Sequence, residues 1–501
     1  MKFLNFNTKY PILNYIFLIA LSLSVFFSVS ILYEVFQIHI YRGDSFYNIP
    51  EIESVYKFEA SGRWINHIFY PITTLISGKL LSTFMLLSFF YFIFISSYRW
   101  SKNFYYAILI SLLLFQIPSL YSQIMWPAAS VPAFLVLFLS IFFVQRLPIF
   151  IFYILFGILF FATMSNFYYL LPLLHLSLLT SNNSKKNFRL LFFKIIPAWA
   201  FGFIIGYVVT QLIVYINTGH FIQIKSWRNP HYIHSVYDLT HNILSSLNFL
   251  ERDIKSIFSN CWIIFLIFPA LLIAYKDRKK DLLFLPLILF FLIIIIHYIV
   301  MIPVGINIAP RTIIATWVGI LAIVFFIPLI KRWQIFFLTP IVVFFTFTLY
   351  EKNHNNLHWY SLTSNIHFEK LLKESPKSPG LYNGVVLLAT HSDIANRNAL
   401  ISKQYNVHKD SYLEDFDHFT RWVPGAREAG FKSIIMCDGT NESRGKIDHF
   451  DKTTDMNLLC QEVSKVYKKN NILLTNQNTF YTILGEYDGR LIISFNENWY
   501  H

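Results

Sequence analysis

The chain of 501 residues is 55% hydrophobic and only 14% charged, and its mean hydropathy is +0.48. A soluble protein of this length carries roughly 25% charged residues, so the composition excludes an ordinary soluble domain. The formal net charge of +13 at pH 7 would suggest nucleic acid in a soluble protein, but here the basic residues lie in small clusters between apolar segments, which is typical of membrane topology signals.

Apolar segments of about 18 residues or more recur from the N-terminus to about residue 350, which predicts a polytopic α-helical membrane protein. The first segment is too long for the core of a signal peptide, so we expect it to be retained as a helix. We predict about eleven spanning helices of near the ~20 residues that a bilayer requires, at 11–33, 80–98, 104–121, 130–144, 148–164, 167–180, 192–216, 256–275, 282–302, 312–330 and 334–350. Residues 1–350 would then form the transmembrane domain.

The basic clusters predict the orientation of these helices. Each cluster precedes the first helix or follows an even-numbered one: Lys2, Lys9, Arg99, Lys102, Arg146, Lys185, Lys186, Arg189, residues 276–280, Lys331 and Arg332. By the positive-inside rule these segments are cytoplasmic, and the N-terminus is cytoplasmic too. The loops 34–64 and 217–255 then lie outside, as does the tail 351–501. In a bacterium this describes an inner-membrane protein with a periplasmic C-terminal domain.

Charges and turn residues become common after Tyr350, which predicts a small α/β domain over residues 351–501. Buried strands are expected at 383–390 and 432–439, a hairpin at 480–495 around Asp488-Gly489, and helices at 364–374 and 454–469. Cys437 and Cys460 are the only cysteines of this domain. An oxidising compartment would favour a disulfide between them, although the sequence leaves their separation open.

The first outer loop carries the most unusual pattern of the chain. Four carboxylates, Asp44, Glu51, Glu53 and Glu59, are followed by Arg63 and Trp64. An outer loop carries acids freely, which is a sufficient explanation for each Glu, but Asp44 lies in "RGDS" near the membrane surface, where a carboxylate is costly unless it is solvated or paired. The segment "SGRWINHIFYPI" (61–72) predicts an amphipathic helix in the membrane interface, with Trp64 at headgroup level.

A carboxylate above an interfacial helix suits an enzyme whose substrate is anchored in the bilayer. The carboxylate would act as general base to an acceptor hydroxyl, and Arg would hold a leaving phosphate through its bidentate donors. Arg311 follows Pro310 in the outer segment "MIPVGINIAPR" (301–311) and opens a late helix, whose N-terminus favours anions. The alternative for Arg311 is an anchor that reaches to lipid headgroups.

Two other outer segments leave several interpretations open. The turn "IMWPAAS" (124–130) either lines a lipid cavity or serves packing. The loop 217–255 contains His220, His231, His234 and His241 together with Trp227, Tyr232 and Tyr237. It is an acceptor-sugar surface, a zinc site or a plain exposed loop, and the absence of an HExxH motif or tight ligand spacing disfavours zinc.

The layout resembles the bacterial serotype-converting O-antigen glucosyltransferases of the Gtr type, which are related to the GT-C superfamily of lipid-phosphosugar-dependent transferases. The resemblance covers roughly residues 10–350 by layout: a first helix, an outer acidic loop with Asp and "GRW", many helices, and Pro310-Arg311 before a late helix. It is specific only at "D…GRW" and "PR". The paired "DD" common in GT-C enzymes is absent, and the C-terminal domain matches nothing residue by residue.

The resemblance implies transfer of a hexose, usually glucose, from a polyprenyl-phosphate donor to O-antigen repeats of lipopolysaccharide in the periplasm. It implies Asp44 at the catalytic acidic position, as general base, with Glu59 or Glu51 as second choices, and donor phosphate or sugar binding by Arg63, Trp64 and Arg311. Neither a cofactor nor a metal is expected. The implied partners are the donor lipid, the O-antigen acceptor, membrane lipids, a flippase and a donor-synthesising enzyme, with no nucleic acid among them.

Three other classes of protein remain as alternatives. An O-antigen polymerase or ligase also acts on polyprenyl-linked sugars, but these enzymes usually have large outer loops with several Arg and little acidic loop after the first helix. A transporter would need charged residues inside its helices, where His175 and His297 are the main ionisable residues of the predicted spans. A receptor whose tail binds a ligand is the third.

Overall fold

The structure is a computed structural model with side chains. It describes residues 11–37, 58–59, 61–73, 75–180, 184–222, 224, 228–258, 280–326, 343–362, 375–389, 391–407, 431, 434–437, 456–469, 476–477 and 482–494. This part of the chain is mostly helical, with one small sheet near the C-terminus.

The N-terminal part is a set of packed helices. They are α1 Pro11–Gln37, α2 Trp64–Thr73, α3 Gly78–Ser101, α4 Phe104–Leu114, α5 Pro118–Ile124, α6 Pro127–Phe143, α7 Ile149–Phe161, α8 Ser184–Leu190, α9 Ile196–Thr218, α10 Val236–Phe258, α11 Lys280–Met301, α12 Ile314–Phe326 and α13 at 343–362. A 3-10 helix, Ser165–Thr180, lies between α7 and α8. One large apolar core joins them, rich in aromatic side chains such as Phe134, Phe167 and Trp317.

Among the described residues, two helices are long and apolar enough to cross a membrane: Gly78–Ser101, with 24 residues, and 185–218, with 34 residues. The pair α4 and α5 makes a third if it counts as one broken span. Shorter apolar helices are Leu21–Gln37, Pro127–Phe143, Ile149–Phe161 and Leu285–Met301. These helices agree with a membrane protein; the number of eleven spans stays a prediction.

Proline breaks the helix that the sequence places at 104–121. The chain bends by 65° between α4 and α5. Pro118 starts the second helix, and Ile117 before it is extended, with φ −62° and ψ 122°. Because proline has no N–H to donate and disfavours a helical residue before it, the predicted span is a bent pair of helices instead of one continuous helix.

The expected α-helix at 167–180 is instead a 3-10 helix, Ser165–Thr180, with Pro172 inside it. Its residues Phe167, Tyr168 and Leu170 are completely buried. The segment is therefore part of the buried core. Its backbone departs from an α-helix around Pro172, which cannot donate a backbone hydrogen bond.

Helices α7 and α9 cross at glycines. A Cβ on Gly157 would overlap the carbonyl of Gly202, and one on Gly206 would meet the backbone of Gly157. Small residues four apart let two helices approach to backbone contact, which is a common way to pack helices in membranes.

The loop 217–255, which the sequence predicts to lie outside, contains the helix α10, which the sequence analysis missed. One side of α10 is buried, including Asn242, Ser246 and Asp253, whereas Val236 and Leu247 are exposed. Apolar residues recur in this segment with the 3.6-residue period of a helix, so the helix could have been predicted from the sequence. The high share of polar residues in the segment made that pattern easy to overlook. Beyond Phe258, the expected span 256–275 lies outside the described residues.

The C-terminal part has the expected α/β composition. The strands β1 Gly384–Leu388, β2 Ile434–Cys437, β3 Asn476–Gln477, β4 Thr482–Tyr487 and β5 Arg490–Ser494 form one sheet in the order β2-β1-β5-β4-β3. β1 is parallel to β2 and β5, and the β3-β4-β5 pairs are antiparallel. The helices are α14 His391–Tyr405 and α15 Met456–Lys469.

Most predicted elements of this domain are confirmed. Both strands, the helix at 454–469 and the hairpin are present, and Asp488 and Gly489 have φ of 50° and 71°, as a tight hairpin turn requires. The helix predicted at 364–374 lies outside the described residues. The sequence missed α14, and α13 continues past residue 350, where the indole of Trp359 donates to Ser402 Oγ of α14 at 2.7 Å.

The expected disulfide is confirmed. Cys437 of β2 and Cys460 of α15 are bonded, with their Cα atoms 5.5 Å apart. They lie in a core with Val386, Val463 and Ile492, so the bond ties the helix to the sheet.

Candidate functional site

The structure describes four of the six predicted site residues. Glu59, Arg63, Trp64 and Arg311 are all half-buried. The other two, Asp44 and Glu51, lie outside the described residues.

A tight turn positions Arg63 and Trp64 at the start of α2. Gly62 has φ +68° and packs against the side chains of Thr210 in α9 and Ile222. Its amide donates to Phe58 O at 2.8 Å, and the Trp64 amide donates to Gly62 O at 2.9 Å. A side chain at residue 62 would be strained by its φ and would collide with α9, so the glycine of "GRW" has a structural reason.

The predicted amphipathic helix is confirmed as α2. Its inner side is attached to two other helices: Asn66 Nδ2 donates to Ala129 O of α6 at 2.7 Å, and the Ile65 amide donates to Ala162 O at 3.1 Å. Ile68 and Ile72 on the outer side are 61% and 54% exposed. An apolar exposed side next to a polar attached side is the arrangement of an interfacial helix.

Arg311 lies in a 3-10 turn, Pro310–Thr312, just before α12. Its guanidinium is 5.4 Å from the centroid of the Trp126 ring, a cation–π contact. Trp126 belongs to the turn 124–130, and Ala129, which accepts the bond from Asn66, belongs to the same turn. The two predicted donor-binding regions, α2 and the Arg311 turn, therefore meet on one turn of the chain.

His297 holds the Arg311 turn through a hydrogen bond to Thr312. The hydroxyl of Thr312 donates to Ala309 O at 2.7 Å and lies 3.1 Å from His297 Nε2, so the imidazole donates to that oxygen. The ring of His297 is 5.5 Å from that of Tyr169. Sequence reasoning noted His297 only as an intramembrane histidine, whereas the structure makes it a positioning residue for the turn.

Two side chains have buried polar atoms that lack hydrogen-bond partners within the part of the chain that the structure describes. Asn166, one turn before Tyr169, is only 6% exposed, and neither of its side-chain polar atoms is bonded. The indole nitrogen of Trp64 is also buried and also lacks a hydrogen-bond partner among the described residues. Because buried polar groups are nearly always hydrogen-bonded, these atoms are candidates for binding a polar ligand.

A carboxylate that the sequence analysis passed over lies at the end of α1. Glu34 Oε1 is 2.7 Å from His354 Nδ1 and accepts from Tyr350 OH at 3.4 Å, and both partners are on α13. Glu34 begins the predicted outer loop 34–64, so its position was visible, but nothing in the sequence indicated its partners. The pair joins α1 to α13.

The histidine-rich loop forms one wall of a cavity of about 620 Å³. The imidazole rings of His231 and His241 are 4.8 Å apart, while His220 bonds only locally to Phe221 O. Within the described residues, no group of three or more His, Cys, Asp or Glu is arranged to hold a metal ion.

Comparison of the chain with known protein families, with curated proteins and with solved structures finds no significant match.

Proposed function

We propose that the chain is an integral-membrane glycosyltransferase. It transfers a hexose, glucose by its resemblance to the serotype-converting enzymes, from polyprenyl-phosphate-hexose to O-antigen repeats on the periplasmic side of the inner membrane. The observation that carries this proposal is the meeting of Arg311 and the interfacial helix α2 on the Trp126 turn. It brings the Arg311 cation and an amphipathic helix to one turn of the chain, which suits a site for a lipid-anchored phosphate.

The proposed donor site has a part for each portion of the donor. Arg311 and Arg63 neutralise the phosphate, since guanidinium offers bidentate donors and stays charged. The unbonded atoms of Asn166 and the Trp64 indole are available to hydroxyl groups of the sugar. The exposed Ile68 and Ile72 face the hydrocarbon of the lipid chain.

The proposed reaction is a single displacement at the anomeric carbon. The acceptor oxygen forms a bond to that carbon while the bond from carbon to the phosphate oxygen breaks, and the acceptor proton passes to a carboxylate. Polyprenyl phosphate leaves as an anion, so no acid is needed to protonate it. Attack from the face opposite the phosphate predicts inversion at the anomeric carbon.

Asp44 is the proposed base, with Glu59 and Glu51 as second choices. Positioned general-base catalysis contributes about 10²–10⁴-fold, so Asp44→Asn should lower transfer by that factor while the protein is still inserted and expressed. The assay measures transfer from radiolabelled polyprenyl-phosphate-glucose to O-antigen in membranes. Glu53→Gln, in the same loop, is the matched control and should keep normal activity.

The same assay separates a wrong residue from a wrong function. Normal activity of Asp44→Asn with loss in Glu59→Gln or Glu51→Gln would move the base within the loop. Normal activity of all three variants would remove the general-base mechanism, and absence of transfer by the wild type would refute the proposed function.

The topology belongs to the same proposal: about eleven spans, a cytoplasmic N-terminus and a periplasmic domain over 351–501. Two features support it. Lys and Arg are clustered in alternate loops, and the Cys437–Cys460 bond fits an oxidising compartment.

A further inference from the structure

The cavity beside the histidine-rich loop is built from segments far apart in the chain. Its lining residues come from the loop 228–235, from α10 and from the segment 302–309: Asn229, Pro230, His231, His241, Ser245, Phe249, Gly305 and Asn307. Its volume of about 620 Å³ lies within the roughly 300–1,000 Å³ of small-ligand pockets.

Hydrogen bonds hold the walls in place. Asn242 Nδ2 donates to His231 O at 2.7 Å and to Ile302 O at 3.0 Å, and its Oδ1 accepts from His231 Nδ1 at 3.1 Å. The His231 amide donates to Val304 O at 2.9 Å. A single buried amide thus joins all three segments, so the cavity is formed before any ligand arrives.

Close packing and charge complete the structure of these walls. Gly305 has φ +61°, and a side chain there would collide with the amide of Asn242. Arg252 donates to Ile308 O at 2.9 Å and to the buried carboxylate of Asp253 at 2.8 Å. Burial raises the pKa of Asp253, and the charge of Arg252 opposes that rise.

The side chains that line the cavity suit a carbohydrate. Asn229 and Asn307 offer amides that both donate and accept, Ser245 offers a hydroxyl, and His241 offers an imidazole. The ring of Phe249 supplies an apolar surface for the C–H face of a sugar. Nearby, the Ser235 hydroxyl and the His234 amide donate to Asp238 and hold the pKa of its carboxyl below the usual range.

The cavity is also connected to the proposed donor site. Asn307 lines it, and the same short segment runs on through Ile308, whose carbonyl is held by Arg252, to Arg311 on the Trp126 ring. One ordered stretch of backbone therefore links the cavity to the cation that would hold the donor phosphate.

We infer that this cavity is the acceptor site, in which sugar units of the O-antigen chain bind beside the lipid-linked donor. The inference rests on the proposed function, because it names the second substrate of that reaction. It also assigns His231 and His241, the two histidines that line the cavity, to carbohydrate binding.

The test uses the full-length protein in detergent and O-antigen oligosaccharides released from the lipopolysaccharide of the strain that encodes it. Ligand-observed NMR without donor measures binding, and the transfer assay measures the KM of each substrate. Asn307→Ala and Phe249→Ala each remove a lining side chain and leave the hydrogen bonds of Asn242 and Arg252 in place. Phe249→Ala also removes the cation–π contact of Arg252 with that ring, 5.0 Å from its centroid, so Asn307→Ala is the cleaner of the two variants. Thr240→Ala is the matched control, since this exposed residue of α10 bonds only to Val236 O of its own helix.

We expect each lining variant to weaken oligosaccharide binding and to raise the acceptor KM by about tenfold, with the donor KM unchanged, since a lost hydrogen bond or contact is commonly worth about a factor of ten. Thr240→Ala should behave as wild type. Unchanged unfolding temperatures would show that the lining variants are folded.

Different outcomes separate the two proposals. Wild-type binding that the lining variants do not weaken would overturn the acceptor site, even if glucose is transferred. Undetectable binding of the oligosaccharide by the wild type, or an equal loss in Thr240→Ala, would overturn it as well. Binding that depends on the lining residues without any transfer from the lipid donor would support the site and refute the transferase.

Discussion

Arg311 acts through the shape of its side chain as well as its charge. Its guanidinium lies over the Trp126 ring, where a planar cation is stabilised, and a guanidinium is the side chain whose donors match a phosphate bidentately. A lysine would keep the charge and lose both the planar stack and the bidentate fork. The residue is therefore suited to an anion that arrives at the Trp126 turn.

We predict that Arg311→Lys lowers kcat/KM for the lipid donor by about ten- to hundredfold, which corresponds to about 1.4–2.7 kcal/mol, and that Arg311→Ala lowers it further. Steady-state transfer assays at varied donor concentration measure the effect. Arg146→Lys, at the predicted cytoplasmic end of α6, is the control and should not change the rate. Full activity in both Arg311 variants would make the residue a headgroup anchor only.

Asn166 has the opposite character, since its buried amide makes no hydrogen bond to any residue that the structure describes. Leaving a buried amide unbonded costs about 1–3 kcal/mol. Such a cost is retained in proteins where a polar group serves a ligand at the expense of stability.

Asn166→Leu should therefore keep or raise the unfolding temperature of the purified protein while it lowers transfer. Asn187→Leu is the matched control, because Asn187 Nδ2 donates to Leu179 O at 2.9 Å, so loss of that amide should lower the unfolding temperature. Equal destabilisation by the two substitutions would show that Asn166 serves the fold.

At the scale of elements, the crossing of α7 and α9 determines where the C-terminal ends of these two helices lie. Ala162, just after α7, accepts the bond from Ile65, and Thr210 of α9 contacts Gly62. The glycine contact therefore supports the turn that presents Arg63 and Trp64.

We predict that Gly202→Leu disrupts this crossing and lowers stability by at least the 1–3 kcal/mol typical of overpacking, because backbone atoms leave no room for a side chain. Fluorescence-detected size-exclusion chromatography after heating measures the loss. Ala200→Leu introduces the same side chain at an exposed position of α9 and should be tolerated. A Gly202→Leu protein as heat-resistant as Ala200→Leu would contradict the role of the close contact.

At the scale of the whole molecule, the described part of the C-terminal domain is attached through α13. The Trp359–Ser402 bond joins this helix to α14, and the Glu34–His354 pair joins it to α1. The helix α13 thus links α14 of the C-terminal domain to α1 of the N-terminal helices.

The orientation of the molecule gives the first prediction at this scale. Alkaline phosphatase, which folds only in the periplasm, should be active when fused after His501 and inactive when fused after Arg146. The reason is the clustering of Lys and Arg in alternate loops. The reverse pattern would invert the topology and place the proposed site on the wrong side of the membrane.

The disulfide gives the second prediction. Cys437→Ser should lower the free energy of unfolding of the C-terminal domain by about 3 kcal/mol. The reason is that the bond closes a loop between cysteines 23 residues apart. Proteolysis of spheroplasts in increasing urea measures the change, and dithiothreitol on the wild type should reproduce it. Cys261→Ser is the control. Mass spectrometry that finds both Cys437 and Cys460 as free thiols in the native protein would refute the bond.

The sequence by itself determined the features that depend on neighbouring residues. Hydropathy located the apolar helices, "SGRWINHIFYPI" predicted α2, and Asp488-Gly489 predicted the hairpin, since period and turn chemistry act within a few residues. The two cysteines were visible, but their 5.5 Å Cα separation was decided by the packing of α15 on the sheet.

Only the tertiary structure decided which distant residues meet. The contacts of Arg311 with Trp126 and of Asn66 with Ala129, and the cavity shared by the loop 228–235 and the segment 302–309, join residues far apart in the chain. Such contacts depend on how the helices pack, and the composition of a short segment does not predict which distant segment it packs against. The bend at Pro118 and the helix α10 could have been predicted from local sequence. Their place in the site could not, because it depends on the distant segments that pack against them, such as 302–309 against α10.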